Sequence, residues 1–480
     1  MVDRCNQTGT ASYVTLPVFA IMGHPNEGKS TVVSTLAEDE CVPVSRTPGE
    51  TRRCHTYTVS LNGTRHLEFI DTPGFQNPSA ILTWFEQFEG DEMNLVPSFL
   101  AAHAANPHFH HDLELLRPLK HQAGILYVAD ASRPLRDVDK VEMEILRLTG
   151  RPRMAILNRK RETDTFLEPW REAVGRRFNI IRDFNAHNAT FQERVQLLEA
   201  MKVLNQDWEA PLETFLTAMK SDWQGRLQES SLILISLLDQ VMQHIHRHPM
   251  QTNQPLSDQK AAAIQGYQND IRQFERKARA AWCKHYHHPS LSACGTPADL
   301  AELDLFAEHV WRLLGFSKQQ LITMGAITGG MLGAGADLAA GGLTFGILAA
   351  SGALLGAVGG WRGAPRIGAK KLPLWPGRKT LAKEFLQVGP CRDIQLPSIL
   401  IDRSLLYLQR LMNWSHGRRD PETFEQTLRT SGSLVAGWTQ SQNTVLTNWL
   451  MAHRKSQMDT QTVDRELQNL IQKLLTQKDP

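Results

Sequence analysis

Apolar runs of strand length alternate with amphipathic runs of helical period through the first part of the chain. Val14 to Met22 (VTLPVFAIM), Leu67 to Ile70, Gly124 to Ala129 and Met154 to Leu157 each read as a buried strand, and Val138 to Leu148 reads as a helix between two of them. Short apolar strands spaced by helices predict a mostly parallel, doubly wound α/β sheet. Gly74 to Gly124 is longer than such a domain requires, and Ala101 to Asp112 within it reads as an inserted helical or loop element. From about Asp207 the strand signal fades. Trp208 to His248 carries Leu212, Phe215, Leu216, Met219, Trp223, Leu227, Leu234 and Leu238 at helical spacing. Asp258 to His288, Pro297 to Leu314, Ser398 to Trp414, Glu422 to His453 and Thr462 to Gln477 continue in the same style. The division expected is a nucleotide domain over 1–205, helical segments over 206–320 and 362–480, and a glycine-rich apolar hairpin over 321–361.

Composition narrows this picture. The chain has 480 residues, with 52 Lys and Arg against 50 Asp and Glu and a net charge of +2. Two or three domains are expected at about 150 residues each. The charge balance excludes a dominant polybasic arm or acidic tail. Cys5, Cys41, Cys54, Cys283, Cys294 and Cys391 are irregularly spaced and form no CxxC pair. That usage fits a reducing compartment. The polar start MVDRCNQTGTASYVT has no apolar signal region, so a cytoplasmic chain is expected.

The strongest chemical signal is Gly23-His24-Pro25-Asn26-Glu27-Gly28-Lys29-Ser30, which matches GxxxxGK[ST] between a strand and a helical pattern beginning at Thr31. Gly23 and Gly28 let backbone N–H groups approach phosphate oxygens, and the new helix adds its positive end. Lys29 would place its charge on the β- and γ-phosphates, and the Ser30 hydroxyl would ligate Mg²⁺. Asp71-Thr72-Pro73-Gly74 follows the strand ending at Ile70. Its carboxylate would hold Mg²⁺ through water, and Gly74 would donate its N–H to the γ-phosphate and act as a hinge.

These motifs resemble the Era/TrmE-type branch of P-loop GTPases. Arg46-Thr47-Pro48-Gly49-Glu50-Thr51-Arg52-Arg53 resembles its first switch, TPGxTR. By that resemblance Thr51 binds Mg²⁺ and senses the γ-phosphate, and Lys29, Thr51 and Gly74 form the catalytic set. Phe75 stands where Ras-like proteins carry the glutamine that orients water, so hydrolysis is expected to need help from elsewhere. Asn26 matches the potassium-binding asparagine of K⁺-stimulated members, which makes K⁺ an expected cofactor beside GTP/GDP and Mg²⁺. Asn158-Arg159-Lys160-Arg161 is similar to the guanine-reading NKxD motif, with Arg159 as the packing cation. Arg161 cannot accept hydrogen bonds from guanine, Asp164 substitutes only in a rearranged loop, and strict guanine specificity stays open. Asn185-Ala186 resembles the last motif, usually SA. The chain is also similar to bacterial GTPases that fuse an Era-like domain to an uncharacterised C-terminal domain, through Leu126 to Pro134, Met143 to Asn158, Phe184 to His187, Asp337 to Gly346 and His416 to Asp420.

Twelve of the 33 glycines fall between Leu321 and Gly360, where Asp337 is the only charge. As helices, the two halves would span about 24 and 34 Å, against a hydrocarbon core of roughly 30 Å. Gly325/Gly329/Gly333 and Gly352/Gly356/Gly360 recur at the spacing that lets helices approach closely in lipid. Lys318, Arg362, Arg366, Lys370 and Lys371 flank the stretch. It reads as a hairpin at the cytoplasmic face of the inner membrane, with a buried soluble hairpin as the competing reading. His103, His108, His110 and His111, and His285, His287 and His288, form two clusters without paired ligand spacing, and read as solvated or switch-region histidines. The leading reading is a GTP-hydrolysing switch acting through a membrane-associated helical region. The alternatives are an RNA or ribosome-assembly GTPase of Era type and a nucleotide-binding scaffold with weak hydrolysis. The partners expected are guanine nucleotide, the membrane through 321–361, a nucleotide-dependent second copy and an unidentified protein. Nucleic acid is not expected, because no basic patch marks the C-terminal half.

Overall fold

The computed structural model describes residues 16–39, 42, 53–160, 165–289, 291, 368–370, 385–391, 395–416, 438–455 and 460–476. Thr51 with the rest of 43–52, residues 161–164 with Arg161 and Asp164, and the glycine-rich 321–361 lie outside them.

Six strands build the first sheet: β1 (Val18–Met22), β2 (His55–Leu61), β3 (Thr64–Asp71), β4 (Gly124–Asp130), β5 (Arg153–Asn158) and β6 (Ile180–Phe184). Their order is β2-β3-β1-β4-β5-β6. All neighbouring pairs are parallel except β2 with β3, so β2 is an antiparallel edge strand. Alternate side chains sort to opposite faces, as strand periodicity requires. Ala20, Met22, Ile125, Tyr127, Ala155 and Leu157 face α2 (Pro78–Glu86), α3 (Leu95–Ala102), α4 (His110–Lys120), α5 (Asp137–Leu148) and α6 (Leu167–Gly175). Phe19, Ile21, Leu126, Val128, Met154 and Ile156 face α1 (Lys29–Ala37), α7 (Phe191–Lys202) and the start of α8 (Gln206–Gln243). The inserted element is helical. Trp84, Phe85 and Phe109 each meet Phe99 edge to face, and His103 lies tilted against Phe99 and Phe109, so α2, α3 and the turn leading into α4 share one aromatic cluster.

A first compact unit takes the chain to Trp223 and a short return segment within Met412–Arg419. It runs past residue 205 because Trp208, Leu212, Phe215, Leu216 and Met219 of α8 are buried in the sheet's second face. Phe19 meets Trp208 edge to face at 4.8 Å.

The second unit is mainly helical: the end of α8, α9 (Leu256–His285), α10 (Gln395–Met412), α11 (Gln440–Lys455) and α12 (Thr460–Thr476). A small antiparallel sheet of β7 (His246–Pro249), β8 (Gly368–Lys370) and β9 (Phe385–Val388) accompanies them, in the order β7-β9-β8. Buried Glu275 accepts from Arg279 at 2.5 Å and from Arg403 at 3.1 Å. Burial alone would raise that carboxyl, but the two guanidinium groups hold it at about 2.

Candidate nucleotide-binding site

The P-loop leaves the carboxyl end of β1, where open parallel sheets place their ligands. Gly23 (φ 140°) and Gly28 (φ 97°) adopt conformations that disfavour a side chain, and Asn26 (φ 66°) is left-handed, which Asn tolerates. A Cβ on Gly23 would strike the Val128 carbonyl, and one on Gly28 would strike the Asn158 amide. Helix α1 starts at Lys29 with no side-chain cap, so its first N–H groups are left for an anion.

Lys29 is 7% exposed and folds back on its own loop, donating to the carbonyls of Gly23 at 3.0 Å and His24 at 2.9 Å. Burial lowers its pKa, against the opposing charge of Asp71. Ser30 Oγ donates to Asp71 Oδ2 at 2.7 Å. Asp71 Oδ1 is buried without a hydrogen-bond partner. Burial pushes the Asp71 carboxyl up, against the Ser30 hydrogen bond and the Lys29 charge. A hydroxyl beside a carboxylate with a spare oxygen suits Mg²⁺, which takes oxygen ligands. Thr72 is anchored by donating to the Ile21 carbonyl at 2.7 Å. Gly74 lies against the P-loop so closely that a Cβ would sit 2.5 Å from Pro25 Cδ and 2.7 Å from its nitrogen. Pro73 shares that segment, and Thr31 is buried in α1.

Charged side chains brace the loop from outside. Glu27 accepts from Arg133 Nε at 3.0 Å and Nη2 at 2.6 Å, and from the Asp130 N–H. Arg133 also reaches Asp139 at 2.8 Å, and Arg136 joins it there at 2.9 Å. Burial would raise Asp139, but the hydrogen bonds from Arg133 and Arg136 bring it down to about 2. His24 Nδ1 lies 2.7 Å from Glu142, whose carboxyl burial pushes up against the His24 contact. Buried Asp112, from the inserted element, accepts from the Gln76 N–H at 3.0 Å and Asn77 Nδ2 at 3.1 Å. The segment after Gly74 is therefore pinned to α4.

On the base side, Asn158 is fully buried. Its amide donates to the Glu27 carbonyl at 2.9 Å, and its oxygen accepts the Ala186 N–H at 3.2 Å. Asn158 thus joins the P-loop to the Asn185-Ala186 loop. Asn185 Oδ1 turns that loop by accepting the His187 N–H at 3.1 Å. The Arg159 N–H donates to the Phe184 carbonyl at 3.0 Å. The ammonium that reaches the P-loop is that of Lys160: it donates to the Asn26 carbonyl and lies 3.5 Å from Asp130. A residue from the far end of the chain completes this side. Ser415 Oγ donates to the Ala186 carbonyl at 2.5 Å and lies 2.7 Å from Thr35 Oγ1.

The structure thus gathers Gly23 to Thr31, Asp71 to Gly74, Asn158, Arg159, Asn185 and Ala186 around one loop. Sequence reading passed over Lys160, Arg133 as the partner of Glu27, Asp112 and Ser415. Lys160 alone had a local signal, as a second cation beside Arg159. Among the described residues, neither histidine cluster gathers into a ligand set.

Comparison with known proteins then matches residues 18–159 to the family described as 50S ribosome-binding GTPase. Residues 171–476, well over half of the chain, match the family described as domain of unknown function DUF3482. The chain belongs to the DUF3482 family. Before that domain this DUF3482 protein carries an α/β P-loop GTPase domain, with low-identity relatives among EngB and Der proteins. It is 26% identical to a probable GTP-binding protein EngB of Burkholderia thailandensis over 173 residues, covering 33% of this chain and 68% of the relative. It is 28% identical to GTPase Der of Desulforudis audaxviator over 156 residues, covering 32% of this chain and 29% of Der. Among solved structures, Era with MgGDPNP and a fragment of 16S ribosomal RNA aligns at 18% identity and a TM-score of 0.28, over 39% of this chain and 55% of that one. Among the described residues no helix is long and apolar enough to cross a membrane.

Proposed function

We propose that this chain is a guanine-nucleotide switch that hydrolyses GTP and passes its nucleotide state to the helical region. The observation that carries this reading is the Ser30–Asp71 pair beside the P-loop, with one Asp71 oxygen buried and unpartnered. In this reading Ser30 and Asp71 hold Mg²⁺, and Thr51 joins them when a γ-phosphate is bound. Lys29 exchanges its two loop carbonyls for phosphate oxygens. Gly74 donates its N–H to the γ-phosphate, and only a glycine fits there against Pro25. Asn158, Arg159, Asn185 and Ala186 frame the base, and Lys160 packs along the loop beneath it. Asn26 supplies a K⁺ ligand. Residues 321–361 bring the chain to the inner membrane.

The test is steady-state hydrolysis by the full chain with Mg²⁺ or EDTA, in K⁺ or Na⁺, and with or without liposomes. Mg²⁺-dependent GTP turnover that Ser30→Ala removes supports the reading. Equal rates for GTP, ATP and XTP would overturn guanine specificity, and equal rates in K⁺ and Na⁺ would overturn the Asn26 assignment. Turnover unaltered by liposomes, with the protein wholly soluble, would remove the membrane role.

A second reading is a ribosome-directed GTPase of Era type, supported by the match of residues 18–159 to the 50S ribosome-binding GTPase family. Nucleotide-dependent co-sedimentation with ribosomal subunits favours it over the membrane reading.

A further inference from the structure

Away from the nucleotide site, the second unit brings three ligand-type side chains to one point. His244 Nε2 lies 2.8 Å from Asp270 Oδ2, and His246 Nδ1 lies 2.7 Å from the same oxygen. The three ligand atoms lie within 4.8 Å of one another. We propose that His244, His246 and Asp270 form a binding site for a divalent first-row transition ion of the zinc type, independent of the nucleotide reading.

The local sequence makes the convergence. α8 ends at Gln243, and the chain runs extended into β7. Residues two apart on extended backbone share a side, so His244 and His246 both turn toward α9. Asp270 stands on α9 one turn beyond Gly266. A Cβ at Gly266 would collide with the His246 ring, so the missing side chain seats that ring against the helix. The His244 ring stacks on Tyr267 at 5.5 Å and meets Phe274 edge-on at 5.0 Å. Both rings are thus held in place by α9 itself, the packed support that a metal site needs.

The donor set selects the ion. Two imidazoles and one carboxylate suit zinc and its first-row neighbours, whereas Mg²⁺ and Ca²⁺ prefer oxygen throughout. At bond lengths of about 2.0–2.1 Å, tetrahedral ligand atoms stand roughly 3.3 Å apart, so each ring nitrogen need only withdraw about half an ångström from Asp270. The side chains are 19%, 22% and 33% exposed, in the order His244, His246 and Asp270. A cation therefore has a path in, and three protein ligands leave a position for water.

The bland alternative is an Asp270 carboxylate hydrogen-bonded by two imidazoles, and the experiment separates the two. The full chain is freed of metal with a chelator and titrated with Zn²⁺ against a chromophoric competitor. One Zn²⁺ per chain is expected at this site. His246→Ala and Asp270→Asn each alter a direct ligand and should weaken it by at least the roughly 10–100-fold that loss of an outer partner costs, while a triple alanine variant at His108, His110 and His111 keeps it. Co²⁺ added to the unaltered chain gives a second readout that needs no variant to fold: visible absorption of tetrahedral or five-coordinate strength. Absence of a stoichiometric site in the unaltered chain overturns the proposal. So does Zn²⁺ affinity unchanged in both variants, or only the weak absorption of octahedral aqueous Co²⁺.

Discussion

Replacing Asn158 by alanine tests whether one side chain ties the phosphate loop to the base loop. Asn158 is fully buried, donates to the Glu27 carbonyl at 2.9 Å and accepts the Ala186 N–H at 3.2 Å. Alanine leaves a buried carbonyl and a buried N–H without partners, at a cost of ~1–3 kcal/mol each. We expect a loss of ~3 kcal/mol, which for a unit of this size lowers Tm by roughly 6–12 °C. Calorimetry of the full chain identifies the relevant transition as the one that GDP raises, since a ligand stabilises only the unit it binds. GDP affinity should fall at least ~10-fold, the equivalent of about 1.4 kcal/mol, because both loops lose their fixed spacing. Asn158→Asp sharpens the test. It keeps the acceptor for Ala186 but sets a carboxylate oxygen against the Glu27 carbonyl, so it should be as damaging as alanine despite its shape. An alanine variant within ~0.5 kcal/mol of the parent, or an aspartate variant with unaltered affinity, refutes the reasoning.

Lys29→Ala should abolish nucleotide binding measured by fluorescent GDP titration; hydrolysis that survives it would refute the site. Gly74→Ala should leave GDP affinity within a few-fold yet lower GTP turnover ~10-fold or more, since its Cβ would sit 2.5 Å from Pro25 Cδ. Glu275 is held at about 2 against an ordinary 4.5, so its stabilisation is present above the ordinary value and fades as pH falls toward the folded one. Urea unfolding of the second unit should therefore lose up to about 3 kcal/mol between pH 5 and pH 2 from this group, and Glu275→Gln should flatten that slope. Burial and the Glu114 carboxylate push the Cys54 thiol up to about 12, so alkylation by iodoacetamide at pH 8 should be far slower in the folded chain than in urea.

The parts of the site that sequence reading reached are those whose chemistry is local. The P-loop spacing, the carboxylate at the end of β3 and Asn158 at the end of β5 lie within short motifs, and the parallel strands bring them together at the carboxyl end of the sheet. What stayed hidden is carried by distant pairs. Glu27 and Arg133 are 106 positions apart, and nothing in either neighbourhood marks the other. Asp112 pins the segment after Gly74 from 36 positions away. Strand β2 escaped because it is an edge strand that alternates polar and apolar residues, with Val59 its one buried position. The His244-x-His246 pair sits on a short strand, and its partner Asp270 comes from the following helix, so no fixed ligand spacing announced it. The first unit reaches Trp223 because α8 buries apolar side chains in the sheet, which periodicity predicts without naming the partner surface.

The hydroxyl of Ser415 under Ala186 has a consequence in time. The two residues are 229 positions apart, so at roughly 5–20 residues per second Ser415 is synthesised about 10–50 s after Ala186. Throughout that interval the growing chain already contains the phosphate loop, and the Ala186 carbonyl accepts from Thr35 without Ser415 beside it. The nucleotide pocket of the nascent protein is therefore chemically different from that of the finished one. The hydrogen bond from Ser415 waits for most of the helical region to be made.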